Sequence, residues 1–264
     1  MSEWKSKYRL ITFHDDRGVL TVTLNRPDKL NAVDARMHTE MSWLWADVAR
    51  DETTRAVVLT GAGSAFSAGG DLDWFKNMTQ EALDRLFVEA RRIIVDMLEV
   101  PQPIVSAVNG AATGLGATLA LMSDIIYASE AATIADTHVL AGIGAGDGGV
   151  VIWPWLCGMA RAKEFLMTGQ KLTATEAHSI GLVNHVVEAD RLMETATKMA
   201  RRLADGPQLA MRGTKASLNK ILREAVNLTL DTSLALEKEC FHSEEHRECI
   251  DAFLEKRKPR FNRA

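Results

Sequence analysis

Cysteine is scarce: Cys157, Cys240 and Cys249 are the only three in 264 residues. An odd set without paired spacing argues against a disulfide framework and against a zinc cluster, and fits a reducing compartment. Positive charge is not in excess either. Lys plus Arg number 31 against 35 Asp plus Glu, a formal net charge of −4. That balance excludes a general attraction to nucleic acid or an anionic membrane, although a local basic patch could still bind a phosphate. Long apolar runs are missing. The longest uncharged stretch, between Glu99 and Asp124, holds Pro101, Pro103, Asn109 and three glycines, so it reads as strand, turn and helix rather than a membrane span. The opening residues Met1 to Arg9 are too charged for a signal peptide. The expectation is a cytoplasmic protein with no nucleic-acid or membrane partner. No solenoid repeat and no low-complexity segment is found.

What remains is an ordinary globular composition, with 47% apolar and 25% charged residues, enough to bury a sizeable core. Its length allows one large domain or two modest ones. Two β-branched runs, 8–13 and 18–24, flank Asp15-Asp16-Arg17-Gly18 and predict a hairpin. Asp34 can cap a helix running to Arg50, and Thr79 one running to about Glu99. Strands are predicted at 55–60, 104–108 and 125–128, with a small-residue helix from Gly114 to Ser123. This alternation predicts an α/β architecture with right-handed crossovers. After Gly158 the pattern turns helical, with candidates at 159–168, 173–178, 190–204, 207–219, 223–241 and 244–257, and one last strand within 182–187. Gly206-Pro207 marks a boundary between an α/β core, 1–205, and a helical region, 206–264.

Two glycine-rich loops each follow a strand and precede a helix: Ser64 to Asp71, and Asn109 to Gly116. Neither has the Gly-Lys-Ser/Thr of a Walker loop or the Gly-x-Gly-x-x-Gly of a dinucleotide site. Such loops leave backbone N–H groups free beside a helix N-terminus, where two can converge on one oxygen. The same glycines would equally serve tight turns and close helix packing.

The segments Leu24-Asn25-Arg26-Pro27, Leu30-Asn31-Ala32, Ala65 to Leu72 and Ala107-Val108-Asn109-Gly110 resemble the crotonase, or enoyl-CoA hydratase/isomerase, superfamily. Ser123 to Ala128 and Phe253 to Arg257 are similar to it too, in the same order over nearly the whole chain. The resemblance implies a spiral of ββα units with a helical C-terminal trimerisation region. It implies a homo-oligomer, either a trimer or a dimer of trimers, and an acyl-CoA thioester substrate. Coenzyme A enters as part of that substrate; no tightly bound cofactor and no metal is implied. The backbone N–H groups of Gly70 and Leu115 would form an oxyanion hole for the thioester carbonyl. Backbone around Lys29, Leu30 and Ala68 would hold the adenine end. Phe253 and Lys256 of a neighbouring subunit match positions that contact the cofactor, although Lys256 also fits a solvated basic tail.

The departures bear on mechanism. Hydratases of this family carry two water-positioning glutamates, and those positions are Thr118 and His138 here. Threonine cannot exchange a proton as a carboxylate does. Imidazole can, and Asp147, nine residues on across a glycine stretch, can pair with it. A merely hydrogen-bonded structural histidine is the alternative. The His138–Asp147 arrangement also resembles the crotonase-fold hydrolases that cleave carbon–carbon bonds of β-diketones. Three functions follow as expectations. The first is enolate chemistry on an acyl-CoA. The second is C–C hydrolysis of a β-dicarbonyl or ring-derived acyl-CoA. The third is non-catalytic binding on a degenerate fold. Asp71, Asp73 and Asp124 are expected at helix ends, and Trp153, Trp155 and Phe165 in the core or an acyl pocket.

Overall fold

The computed structural model describes residues 3–261. Strands β1 (Ile11–Asp16) and β2 (Val19–Leu24) form the expected hairpin, turning through Arg17 and Gly18, which both take positive φ. Helix α1 (Ala35–Arg50) starts at Asp34, whose carboxylate accepts the Met37 N–H. Next come β3 (Ala56–Gly61), β4 (Ala65–Ser67), α2 (Leu72–Lys76) and α3 (Gln80–Glu99), the last capped by Thr79. β5 (Ile104–Val108), β6 (Ala111–Thr113) and α4 (Leu115–Leu121) repeat the pattern. β7 (Ile125–Ser129), β8 (Thr133–Ala135), α5 (Gly149–Cys157) and α6 (Met159–Thr168) repeat it again.

Each pair of strands splits between two sheets. β3, β5 and β7 lie parallel in the larger sheet, and β4, β6 and β8 parallel in the smaller one. This is the ββα spiral. The chain crosses between sheets at tight points. A Cβ on Gly110 would run into the carbonyl oxygen of Ser64, so only glycine lets β6 start there. The strands of the larger sheet are buried throughout β3 and β5, as expected for a parallel sheet covered on both faces.

β9 (Leu172–Thr173) closes the small sheet, followed by α7 (Ala174–Ser179). β10 (His185–Val187) edges the large sheet and is shorter than the 182–187 run; Leu182 and Val183 are buried before it. Helix α8 (Leu192–Asp205) covers the other face of the large sheet. Where two helices are expected across 207–241, one continuous helix, α9 (Gln208–Cys240), is found. Residues 220–222 contain no glycine or proline to break it. Val226, Leu230 and Leu234 of α9 belong to the main core cluster, so its second half is packed onto the α/β layers. Helix α10 (Glu244–Leu254) ends the described structure and stops short of the expected 257.

Asp124 does not close a helix end. It accepts from the Ile104 N–H and the Lys215 ammonium, each at 2.7 Å, and so ties the start of β5 to α9. No helix among the described residues is long and apolar enough to cross a membrane.

Candidate active site

The first glycine loop is held by the Arg26–Asn31 segment. The Asn31 side chain accepts the Arg26 N–H at 2.8 Å and donates to the carbonyls of Ala62 and Ala65. Arg26 reaches across to Asp71 at 2.7 Å, and Asp71 also caps α2 by accepting the Asp73 N–H. The Ser67 hydroxyl donates to the Asn31 carbonyl. These contacts, of which the part-buried Arg26–Asp71 pair is an ion pair, fix the backbone on either side of Gly69 and Gly70. Among the described residues, neither the Gly70 nor the Leu115 N–H donates to a protein acceptor. Leu115 is the first residue of α4, where a free N–H is intrinsic to the helix.

Gly114 shows how close the parts stand. It has φ +53°, and a Cβ built on it would lie 3.5 Å from His138 Cε1 and 3.8 Å from Gly69 Cα. Both loops and the imidazole therefore meet at one point. They face a cavity of about 600 Å³ whose wall includes Gly70, Leu115, His138 and Asp147. Its apolar wall comes from Trp74, Phe75, Leu86 and Phe241. Trp153, Trp155 and Phe165 do not line it: Trp153 and Phe165 pack in the core and Trp155 is exposed.

His138 sits between two carboxylates. Its Nδ1 donates to Asp136 Oδ1 at 2.7 Å, and its Nε2 lies 3.2 Å from Asp147 Oδ2. Asp136, not Asp147, thus takes the nitrogen that fixes ring orientation, and it also accepts the His138 N–H at 3.2 Å. An Asp accepting from the backbone two residues on is a common turn, so the Asp-x-His spacing carried that signal. Burial alone would push the imidazole down, but the charges of Asp136 and Asp147 and their hydrogen bonds outweigh it and hold its pKa well above the ordinary value. The surroundings thus favour the charged ring, with Nδ1 bonded to Asp136 and Nε2 facing the Asp147 carboxylate.

A third carboxyl, Glu237 of α9, stands behind the turn before α5. A Cβ on Gly146 would fall 2.5 Å from its Oε2. Burial, then the neighbouring charges of Asp147 and Asp136, push Glu237 well up despite His138, so it is held protonated. No sequence motif marks it, because it comes from a helix 90 positions beyond Asp147. Among the described residues, Asp136 Oδ2, Asp147 Oδ1 and Glu237 Oε2 have no hydrogen-bond partner. Thr118 is fully buried, its hydroxyl unpartnered, and is absent from the cavity wall.

The remaining predicted residues divide. Lys29 and Ala68 line the cavity, as does Phe253 of this same chain. Leu30 and Lys256 are not in the wall. Leu30 points outward in a left-handed turn, and its carbonyl accepts the Ala68 N–H.

With this arrangement in hand, the sequence profile of the enoyl-CoA hydratase/isomerase family matches residues 14–264. The chain belongs to that family. It is 37% identical over 260 residues to the 1,2-epoxyphenylacetyl-CoA isomerase of Escherichia coli, covering 95% of this chain and 97% of the relative. A crystal structure of an enoyl-CoA hydratase/isomerase from Mycobacterium paratuberculosis superposes with a TM-score of 0.89 at 38% identity, over 92% of this chain and 97% of that one. A β-diketone hydrolase from Anabaena, solved with (S)-3-oxocyclohexyl acetic acid, gives 0.84 at 35% identity, over 91% and 97%. The crotonase fold is thus shared with enzymes of more than one reaction class.

Proposed function

We propose that this family member moves a proton within an acyl-CoA thioester through an enolate, an isomerase-type reaction. The observation that carries this reading is the meeting of two acceptor-free amides, Gly70 and Leu115, with the His138–Asp147 pair at one end of the cavity. Asp147 takes a proton from a carbon conjugated to the thioester. The electron pair moves onto the thioester oxygen, where the two N–H groups stabilise the negative charge. Asp147, whose carboxyl proton exchanges with water, then delivers a proton to a carbon two positions along, so the product keeps the composition of the substrate. The His138 cation holds Asp147 in place and offsets its charge. Hydration would need a second carboxylate to orient water; Thr118 is buried away from the cavity, and the carboxyl of Glu237, which lines it, is pushed toward its neutral form by burial.

Lys29 and Ala68 mark the CoA end of the cavity, with Phe253 at its rim. We place the assembly at a trimer or a dimer of trimers built on the exposed side of α9. A second reading, hydrolysis of a C–C bond in a β-dicarbonyl acyl-CoA, draws support from Asp147 against His138 Nε2 and from the likeness to the β-diketone hydrolase. Its weakness is that Asp136 takes Nδ1 and the Asp147 carboxylate stands 3.2 Å from Nε2, the nitrogen that would have to activate water.

One assay separates these readings. A panel of enoyl-CoA and β-ketoacyl-CoA thioesters is incubated with enzyme in normal and deuterated water, and products are weighed by mass spectrometry. Isomerisation keeps the mass in normal water and takes up deuterium in heavy water. Hydration adds water, and cleavage of an acyclic diketone gives two fragments. Calorimetry with CoA, acetyl-CoA and a medium-chain acyl-CoA tests the substrate class; no heat with any of them at millimolar ligand rejects it.

A further inference from the structure

The cavity has a second polar point that the proton transfer does not use. His38 of α1 forms part of its wall, although the residue is only 4% exposed. Its Nδ1 bonds Glu89 Oε2 at 2.8 Å, and Glu89 Oε1 accepts the Thr39 hydroxyl at 2.8 Å. Both carboxylate oxygens are occupied, so the ring is held in one orientation from α3. Among the described residues no hydrogen bond reaches His38 Nε2, the nitrogen across the ring from Glu89. The rest of the buried face of α1 is largely Met37, Met41, Leu44, Trp45 and Val48, and the cavity wall beside it is Trp74, Leu86 and Ala90. An imidazole and a carboxylate in such surroundings cost stability compared with apolar residues of like size. A core-filling role would not need them.

We infer that His38, oriented by Glu89, is a specificity-determining residue that hydrogen-bonds an oxygen substituent, hydroxyl or oxo, on the acyl group of the thioester. The inference rests on the acyl-CoA reading above. Because ionised Glu89 can only accept, Nδ1 carries a hydrogen. A neutral ring then offers the Nε2 lone pair to a hydroxyl, and a charged ring offers Nε2–H to an oxo group. The aromatic faces of Trp74 and Phe75 suit the hydrocarbon frame that carries the oxygen. His38 and the His138 cluster stand on different elements, α1 with α3 against the β8–α5 connection with α9. The pocket therefore recognises one part of the acyl group while chemistry occurs at another.

The test is calorimetry on the intact protein with three thioesters of one skeleton: cyclohexylacetyl-CoA and its ring-hydroxyl and ring-oxo forms. The wild type should bind one oxygenated form about tenfold more tightly than the plain one, the size of a buried hydrogen bond that would otherwise be left open. A preference for either oxygenated form supports the inference. His38→Phe should remove the preference, so that all three thioesters bind that variant alike. The ¹⁵N shift of His38 Nε2 in the wild type should move with the preferred ligand and stay still with the plain one, a readout that does not depend on the variant folding. Equal binding of all three by the wild type, or an Nε2 shift that ignores the oxygen, overturns the inference while the acyl-CoA reading stands. If none of the three binds, the acyl-CoA reading falls and this inference falls with it.

Discussion

His138 carries two burdens, and its variants should separate them. Between Asp136 and Asp147 it offsets buried negative charge, and under the proposed reaction it also holds Asp147 in place. His138→Gln and Asp147→Asn should each lower turnover per folded molecule by roughly 10²–10⁴-fold, and the double variant should lose little more. Thr118→Ala should change turnover far less, because that hydroxyl meets neither the cavity nor a partner. Full activity per folded molecule in His138→Gln would remove the pair from the mechanism. The same residue sets a pH dependence. Its folded pKa is raised above the unfolded value, so the stability it contributes is complete below about pH 6.5 and is lost as pH rises through the folded pKa. Glu237, also raised, acts with the same sign. The unfolding midpoint should therefore fall from neutral toward alkaline pH, and Asp136→Asn should bring that fall to lower pH. Thermal scans from pH 6 to 10 check this; a flat wild-type profile would contradict it. His138 and Asp147 were singled out through the family resemblance, and the fold does bring them together, 3.2 Å apart. Glu237 and His38 were not: helical positions look like any others until tertiary packing faces them inward.

Among the elements, the caps and the short strands followed local chemistry. Asp34 and Thr79 accept the amides their spacing predicted, and the hairpin turns where Arg17-Gly18 demands positive φ. Length was harder to read. The polar residues around 219–223 suggested a gap in what is one helix, because periodicity there reflects two different environments along α9. Its second half buries Val226, Leu230 and Leu234 in the core, while Leu209, Leu218 and Leu228 remain exposed. Leu230→Ala, at a position with no exposure, should cost roughly 2–5 kcal/mol in denaturant unfolding. Leu228→Ala, on the open side, should cost the isolated chain far less. Equal losses at the two sites would contradict the assigned faces of the helix.

For the whole molecule, the exposed leucines of α9 are the strongest sign of a partner surface, since such side chains seldom cluster in open water. Light scattering at micromolar concentration should give a trimer or a hexamer, and a monomer would reject the expected assembly. The two-layer spiral itself was readable only through resemblance. Its three-residue strands are too short to announce themselves by periodicity, and the repeat lies in backbone path rather than in side chains. Helix α9 has 33 residues and so runs for roughly 50 Å, with exposed apolar side chains from Leu209 to Leu236 along it and Glu237, buried, close to its C-terminal end. A helix open to neighbours on one side and packed against the cavity wall on the other would tie the shape of the pocket to the assembly. Mass action would then enter the kinetics: diluting the enzyme until its copies separate should lower the activity of each remaining chain, with a lag in recovery as the copies find one another again.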